Sequence, residues 1–169
     1  MQLLEKAYAK IFGSFEIVEG GKPYQALCNL TGFPSDILYH NEITGDSLWK
    51  LIQKGARRDQ PMVASVNSIV LNETRYIKAK GLADHHAYTV LTALTVMDEN
   101  EEPIRLIKIR NPYGTRGKRE WQIEWKDTSE ALKKYLSDQL GIDDEMDGIF
   151  WIRFENFVKF FYQTTICLF

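Results

Sequence analysis

Leu3, Leu4, Ala7, Tyr8 and Ile11 recur at helical spacing, which predicts an amphipathic helix over residues 2–12 that Gly13 ends. A second, short helix is predicted over 24–30, closed by Thr31 and Gly32. A third runs from 47 to about 57, with Leu48, Leu51 and Ile52 as one apolar stripe. Beyond residue 60 the period shortens. β-Branched runs at 61–67 and 68–71 suit short strands, 87–97 suits a longer one, and 104–110 alternates Ile or Leu with Arg or Lys. The polar stretch 98–103 turns the last two into an antiparallel hairpin. Helical spacing returns over 128–140, with Thr128 or Ser129 as cap and Gly141 as stop. A strand at 149–154, a short helix at 155–161 and a final strand at 164–169 complete the pattern. No internal repeat or linker interrupts it. The expected fold class is α+β, a single domain over 1–169 with antiparallel β-sheet and short flanking helices.

Composition narrows the function classes. A chain of 169 residues can fill one core but not two comfortable ones. Its 44% hydrophobic and 26% charged residues are those of a soluble globular protein. A net charge of −2 offers no electrostatic case for nucleic acid or an anionic membrane. The one basic run, Arg116 to Arg119, is short and reads as a solvated loop, because counterion release needs several spaced cations. The apolar runs fall far short of the ~20 residues of a membrane span. Glu5 and Lys6 near the start do not suit a signal peptide. Two cysteines make no disulfide framework, so Cys28 and Cys167 read as reduced core residues of a cytoplasmic protein.

The residues that carry chemistry lie on the predicted hairpin. His86 opens His-Ala-Tyr-Thr-Val on one strand, and Asn111 stands in Arg-Asn-Pro-Tyr-Gly at the end of the other. A thiol protease needs those two residue types beside its cysteine: an imidazole to take the thiol proton and an amide to fix the ring's orientation and tautomer. A lone histidine is more often structural, and Asn111 before Pro112 is also a plain strand-ending turn. Folding the chain back at 98–103, however, returns Asn111 to within a few residues of His86. His85 is the rival, pointing to the opposite face of any strand.

Further motifs appear in a fixed order. Leu4 to Lys10, Gly13-Ser14-Phe15, Gly20-Gly21, Leu30-Thr31-Gly32 and Gly81-Leu82 come before His86. Between it and the end of the chain come Ile107 to Gly114, Glu120-Trp121, Trp125-Lys126-Asp127, Asp147 to Ile152, Phe154 with Phe157, and Ile166-Cys167. Taken together, the chain resembles the second half of the calpain-type protease core, a papain-like cysteine protease, over nearly its whole length. The resemblance implies catalytic roles for His86 and Asn111 and selects His86 over His85, which replaces a small residue usual in the family. Tyr113 stands where the family has a tryptophan that shelters the His–Asn hydrogen bond, and Trp121 is a second supporting aromatic.

The family's cysteine belongs to the preceding subdomain, at a helix start. Neither Cys28, inside a helix, nor Cys167, in a terminal apolar strand, has that setting. The chain as given is therefore expected not to hydrolyse peptides by itself.

Asp143, Glu145, Asp147 and Gly148 imitate the start of an EF-hand loop, but Phe154 occupies the position of the bidentate glutamate. The resemblance implies a different calcium site, built from two loops: Glu120 and Asp127 from the first, Asp147 from the second, with a backbone carbonyl near Glu145. The family's second-loop glutamate is Ile149 here, which leaves open a weak site or a merely solvated acidic loop.

The aromatics Trp151, Phe154, Phe157, Phe160 and Phe161 read as core, with Trp121 and Trp125 better suited to a cleft wall. Two functions follow as expectations. One is the His/Asn half of a calcium-dependent cysteine endopeptidase, paired with a cysteine-bearing subdomain and acting on extended protein substrates. The other is a non-catalytic, pseudo-protease module for binding or assembly.

Overall fold

A computed structural model describes residues 2–67, 81–98, 101–114 and 148–169. Among them are four helices, α1 (Gln2–Phe12), α2 (Pro23–Thr31), α3 (Gly45–Arg57) and α4 (Phe154–Phe160). Six strands accompany them: β1 (Ser35–Tyr39), β2 (Met62–Val66), β3 (His86–Met97), β4 (Pro103–Arg110), β5 (Ile149–Arg153) and β6 (Gln163–Cys167). The strands form one sheet in the order β1-β6-β2-β3-β4-β5, antiparallel at every pairing. The architecture is the expected α+β one. The strand and helix anticipated at 68–71 and 128–140 lie outside the described residues.

The helix ends follow local chemistry. Gly13 closes α1 by donating its N–H to the Ala9 carbonyl, and Gly32 closes α2 from a left-handed conformation, φ +76°. Thr44 caps α3, its hydroxyl accepting the Ser47 N–H. On α3 the buried stripe differs from the expected one. Leu48, Trp49, Ile52 and Gly55 face the sheet, whereas Leu51 is exposed. Trp49 displaces it because its ring meets Phe154 edge-on at 5.1 Å and lies under the Arg105 guanidinium.

Helix α4 has seven residues, too few to stand alone. Phe154, Phe157 and Phe160 recur every third residue and are all buried against the sheet, each contributing about 2 kcal/mol. Phe161 follows them into the same core and stacks on Phe157 at 4.9 Å. The strand residues Met62, Ala64, Val66, Tyr88, Val90, Ala93, Ile107, Ile109, Phe150, Ile152 and Ile166, with Leu82, belong to the same cluster.

Strand β1 was not anticipated. Its Ser-Asp-Ile-Leu-Tyr sequence is short and without alternation, and it forms only through β6, a partner more than a hundred residues away. His40 continues that edge, donating its backbone N–H to the Tyr162 carbonyl. Its buried ring has Nε2 2.9 Å from the Thr164 hydroxyl and lies 5.1 Å from the Phe157 ring centroid. Nδ1 has no well-aligned partner.

Burial lowers the His40 pKa from the ordinary 6.5 to about 4, opposed only weakly by the Phe161 carbonyl. The unfolded chain therefore takes up this proton near pH 6.5, the folded chain only near 4. The stability carried by neutral His40 is full above pH 6.5 and is lost on acidification toward 4, by about 3 kcal/mol. Urea midpoints measured from pH 7.5 to 4.5 should fall accordingly, and His40→Asn should flatten that dependence.

Candidate active site

The hairpin β3–β4 determines what meets at its open end. Pairing runs from Met97 with Pro103 to Thr92 with Lys108, then changes register between Val90 and Thr92. Leu91 is the extra residue of a β-bulge, left without a partner on β4 and partly exposed. Past the bulge, Val90 pairs with Ile109 and Thr89 with Arg110. Continuing that register sets His86 against Tyr113, and their rings stack at 4.3 Å with 25° between planes. One residue of slip would have turned the end of β3 over and removed this meeting.

His86 Nε2 lies 2.9 Å from Asn111 Oδ1. The backbone N–H of Tyr113 also points at Oδ1, at 3.1 Å. A backbone amide can only donate, so the atom it meets must be the side-chain oxygen, not the nitrogen. Oδ1 can then only accept from His86, which puts the ring proton on Nε2 and leaves the lone pair on Nδ1. The Asn111 backbone is pinned as well: its N–H donates to Gly148 O at 2.8 Å, and its carbonyl accepts from Gly114 N at 3.0 Å. Asn111 is buried, which shelters the amide from competing water.

The ring has two further supports. Tyr88 meets it edge-on at 4.8 Å, and the Tyr88 hydroxyl accepts the Ala83 N–H at 2.7 Å, tying down the approach to β3. Burial drives the Tyr88 phenol up to about 12, so it stays protonated. His85 is set apart from this arrangement. Its φ is +50°, a left-handed conformation that explains why a small residue suits the position. Its exposed ring lies 3.8 Å from the Asp84 carboxylate, and its backbone N–H is held by the same side chain.

Burial lowers the His86 pKa below its ordinary value, while the hydrogen bond to Asn111 opposes the shift. At neutral pH the imidazole is therefore uncharged, with Nδ1 able to take a proton. Replacing Asn111 with alanine removes the opposing contribution, so the His86 titration, followed by NMR, should move to still lower pH. A move upward would show that the amide is not what holds the ring.

Two sequence expectations come together here, His86 with Asn111, and Tyr113 lies on the ring as the supporting aromatic. Trp121 and the expected calcium ligands Glu120, Asp127, Glu145 and Asp147 lie outside the described residues, as does Trp125. Among the described residues no cluster of three His, Cys, Asp or Glu side chains could hold a metal ion. Cys28 and Cys167 are free thiols; Cys28 Sγ is 3.8 Å from the Ser35 hydroxyl and Cys167 Sγ 3.4 Å from that of Thr31. No described helix is long and apolar enough to cross a membrane. The structural roles of Gly148 and Tyr88 escaped the sequence reading: Gly148 acts through its carbonyl on Asn111, far off in the chain, and Tyr88 through a loop N–H that no periodicity marks.

A histidine held by an asparagine oxygen, with its other nitrogen free to take a proton, is the base-and-orienter arrangement that cysteine-protease chemistry requires. Comparison with known proteins identifies the family. The family model for calpain family cysteine proteases matches residues 1–168. Calpain-9 of Rattus norvegicus is 34% identical over 168 residues, covering 98% of this chain and 24% of its own. Calpain-A of Drosophila melanogaster is 33% identical over 171 residues, covering 98% and 20%, and the calpain-1 catalytic subunit of Mus musculus is 34% identical over 168 residues, covering 98% and 23%. The chain belongs to the calpain family of cysteine proteases, and it spans about a quarter of the length of these relatives.

Proposed function

We propose that this chain is the His/Asn half of a calcium-dependent cysteine endopeptidase of the cytoplasm, inactive until joined by a cysteine-bearing subdomain in the same or another chain. The observation that carries this reading is the Asn111 amide, oriented by the Tyr113 N–H so that it fixes the His86 tautomer.

The chemistry runs through Nδ1. It accepts the proton of the partner's thiol, and the thiolate sulfur bonds to the scissile carbonyl carbon. The imidazolium then gives that proton to the leaving amine as the C–N bond breaks. Water, deprotonated by the same nitrogen, releases the acid from the thioester and restores the thiol. A thiolate alongside would raise the His86 pKa, countering burial and favouring the ion pair. Asn111 holds the ring through each step.

Calcium would be held by Glu120, Asp127 and Asp147 with a carbonyl near Glu145, and when bound would supply charge that aligns the two subdomains. Asp147 directly precedes Gly148, whose carbonyl anchors Asn111, so a cation held by Asp147 would act close to the amide. With Ile149 in place of a carboxylate the site is expected to be weak. Ile149→Glu should tighten calcium binding, read by isothermal titration, by about tenfold, since ligand charge sets the affinity.

The second reading is a non-catalytic module, favoured by Tyr113, which stands in place of the family's sheltering tryptophan and is 66% exposed. Labelling of the full-length protein with a thiol-directed protease probe separates the two. An active protease is labelled in a calcium-dependent way; a pseudo-protease stays unlabelled at every calcium concentration.

A further inference from the structure

Beside His86 the sheet and the start of α2 enclose a cavity of about 320 Å³, of the size that takes a side chain with adjoining backbone. Its polar lining includes Lys22, Tyr39, Ser65, Asn67, Tyr162 and Gln163, and its apolar walls include Ile37 and Val66. His86 and Ala87 line the same cavity, so whatever fills it lies next to the imidazole.

The lining is one-sided in charge. Among the described residues that form it there is no aspartate or glutamate. Lys22 is exposed at its rim, and its ammonium makes no ion pair with another described residue. His85 lines it as well, with its ring 3.8 Å from the Asp84 carboxylate. Burial and the neighbouring Tyr39 push the Tyr162 phenol up, so it remains an O–H donor. Gln163 is buried, with its amide N–H directed at the Ser65 hydroxyl 3.4 Å away, which holds the floor of the cavity rigid. A leucine side chain entering would strip water from the phenols and the ammonium and give no hydrogen bond in return. A carboxylate would accept from them and neutralise Lys22.

We propose that this cavity is the specificity pocket of the His86 site and that it selects an acidic side chain in an extended peptide. The assignment rests on the proteolytic reading for its consequence, cleavage near a glutamate, but not for its binding. The test uses the full-length protein and one extended peptide in four versions, with Glu, Gln, Leu or Lys at the varied position. Each version is measured twice, for turnover and, as a non-cleavable amide isostere, for equilibrium binding by fluorescence anisotropy.

The Glu peptide should bind tightest. Lys22→Gln should level Glu with Gln, and Lys22→Glu should weaken the Glu peptide by about tenfold and make the Lys peptide the best ligand. A Leu peptide that binds as well as Glu, or an order unchanged in Lys22→Glu, overturns the proposal. Absence of turnover for all four with the binding order intact sinks the proteolytic reading and leaves the pocket assignment standing.

Discussion

Replacing His86 with alanine in the full-length protein should lower kcat/KM toward an extended peptide by about 10³- to 10⁴-fold, with KM nearly unchanged. The loss falls on kcat because the imidazole acts on protons in flight rather than on substrate binding. No other described histidine replaces it. His85, although adjacent, sits at φ +50° with its ring beside the Asp84 carboxylate, away from Asn111. His85→Ala should therefore retain most activity. A protein in which His86→Ala and His85→Ala lose activity equally would place the base elsewhere. Labelling of the partner cysteine by an electrophilic probe should slow in parallel with kcat, because the probe also needs the thiolate.

The second large effect is on the backbone behind the site. Gly148 has φ +83°, and a Cβ there would stand 2.9 Å from Gly114 Cα and 3.0 Å from the Asn111 carbonyl oxygen. Those are backbone atoms on both sides of the turn that presents Asn111, so neither can swing aside. Gly148→Ala should destabilise the protein by about 2–4 kcal/mol, read as a lower denaturant midpoint at unchanged slope. Gly32 provides the control. Its φ of +76° is similar, but a Cβ there meets nothing within 4 Å, so Gly32→Ala should cost only the conformational preference, about 1 kcal/mol. The difference between the two variants isolates the collision. Gly148→Ala should also reduce kcat, because the Asn111 N–H bond to the Gly148 carbonyl must lengthen and the imidazole loses its fixed orientation. Equal costs at the two glycines would mean that the turn relaxes freely.

Much of this was legible in the chain. The helices at α1, α2 and α3 follow from apolar spacing and their Gly or Thr terminators, and the long hairpin follows from alternation around a polar turn. His86 and Asn111 stood out because their residue types match one chemistry and the hairpin brings them close. What escaped was non-local. Strand β1 has no pattern of its own and exists because β6 supplies its hydrogen bonds, and Trp49 displaces Leu51 from the α3 stripe because Phe154 is waiting for it. The cavity beside His86 draws on α2, β1, β2, β3 and the start of β6, so no window of sequence contains it.

The sequence by itself determined which residues could do acid–base work and, β1 apart, which of the described segments would be helix or strand, because both depend on side-chain chemistry and spacing along a few turns. Only the tertiary structure decided whether that chemistry is poised. The bulge at Leu91 sets the register that lays Tyr113 on His86, and the Tyr113 N–H chooses the orientation of the Asn111 amide and with it the imidazole tautomer. A hydrogen-bond direction is a property of three groups at once, and only folding brings the three together.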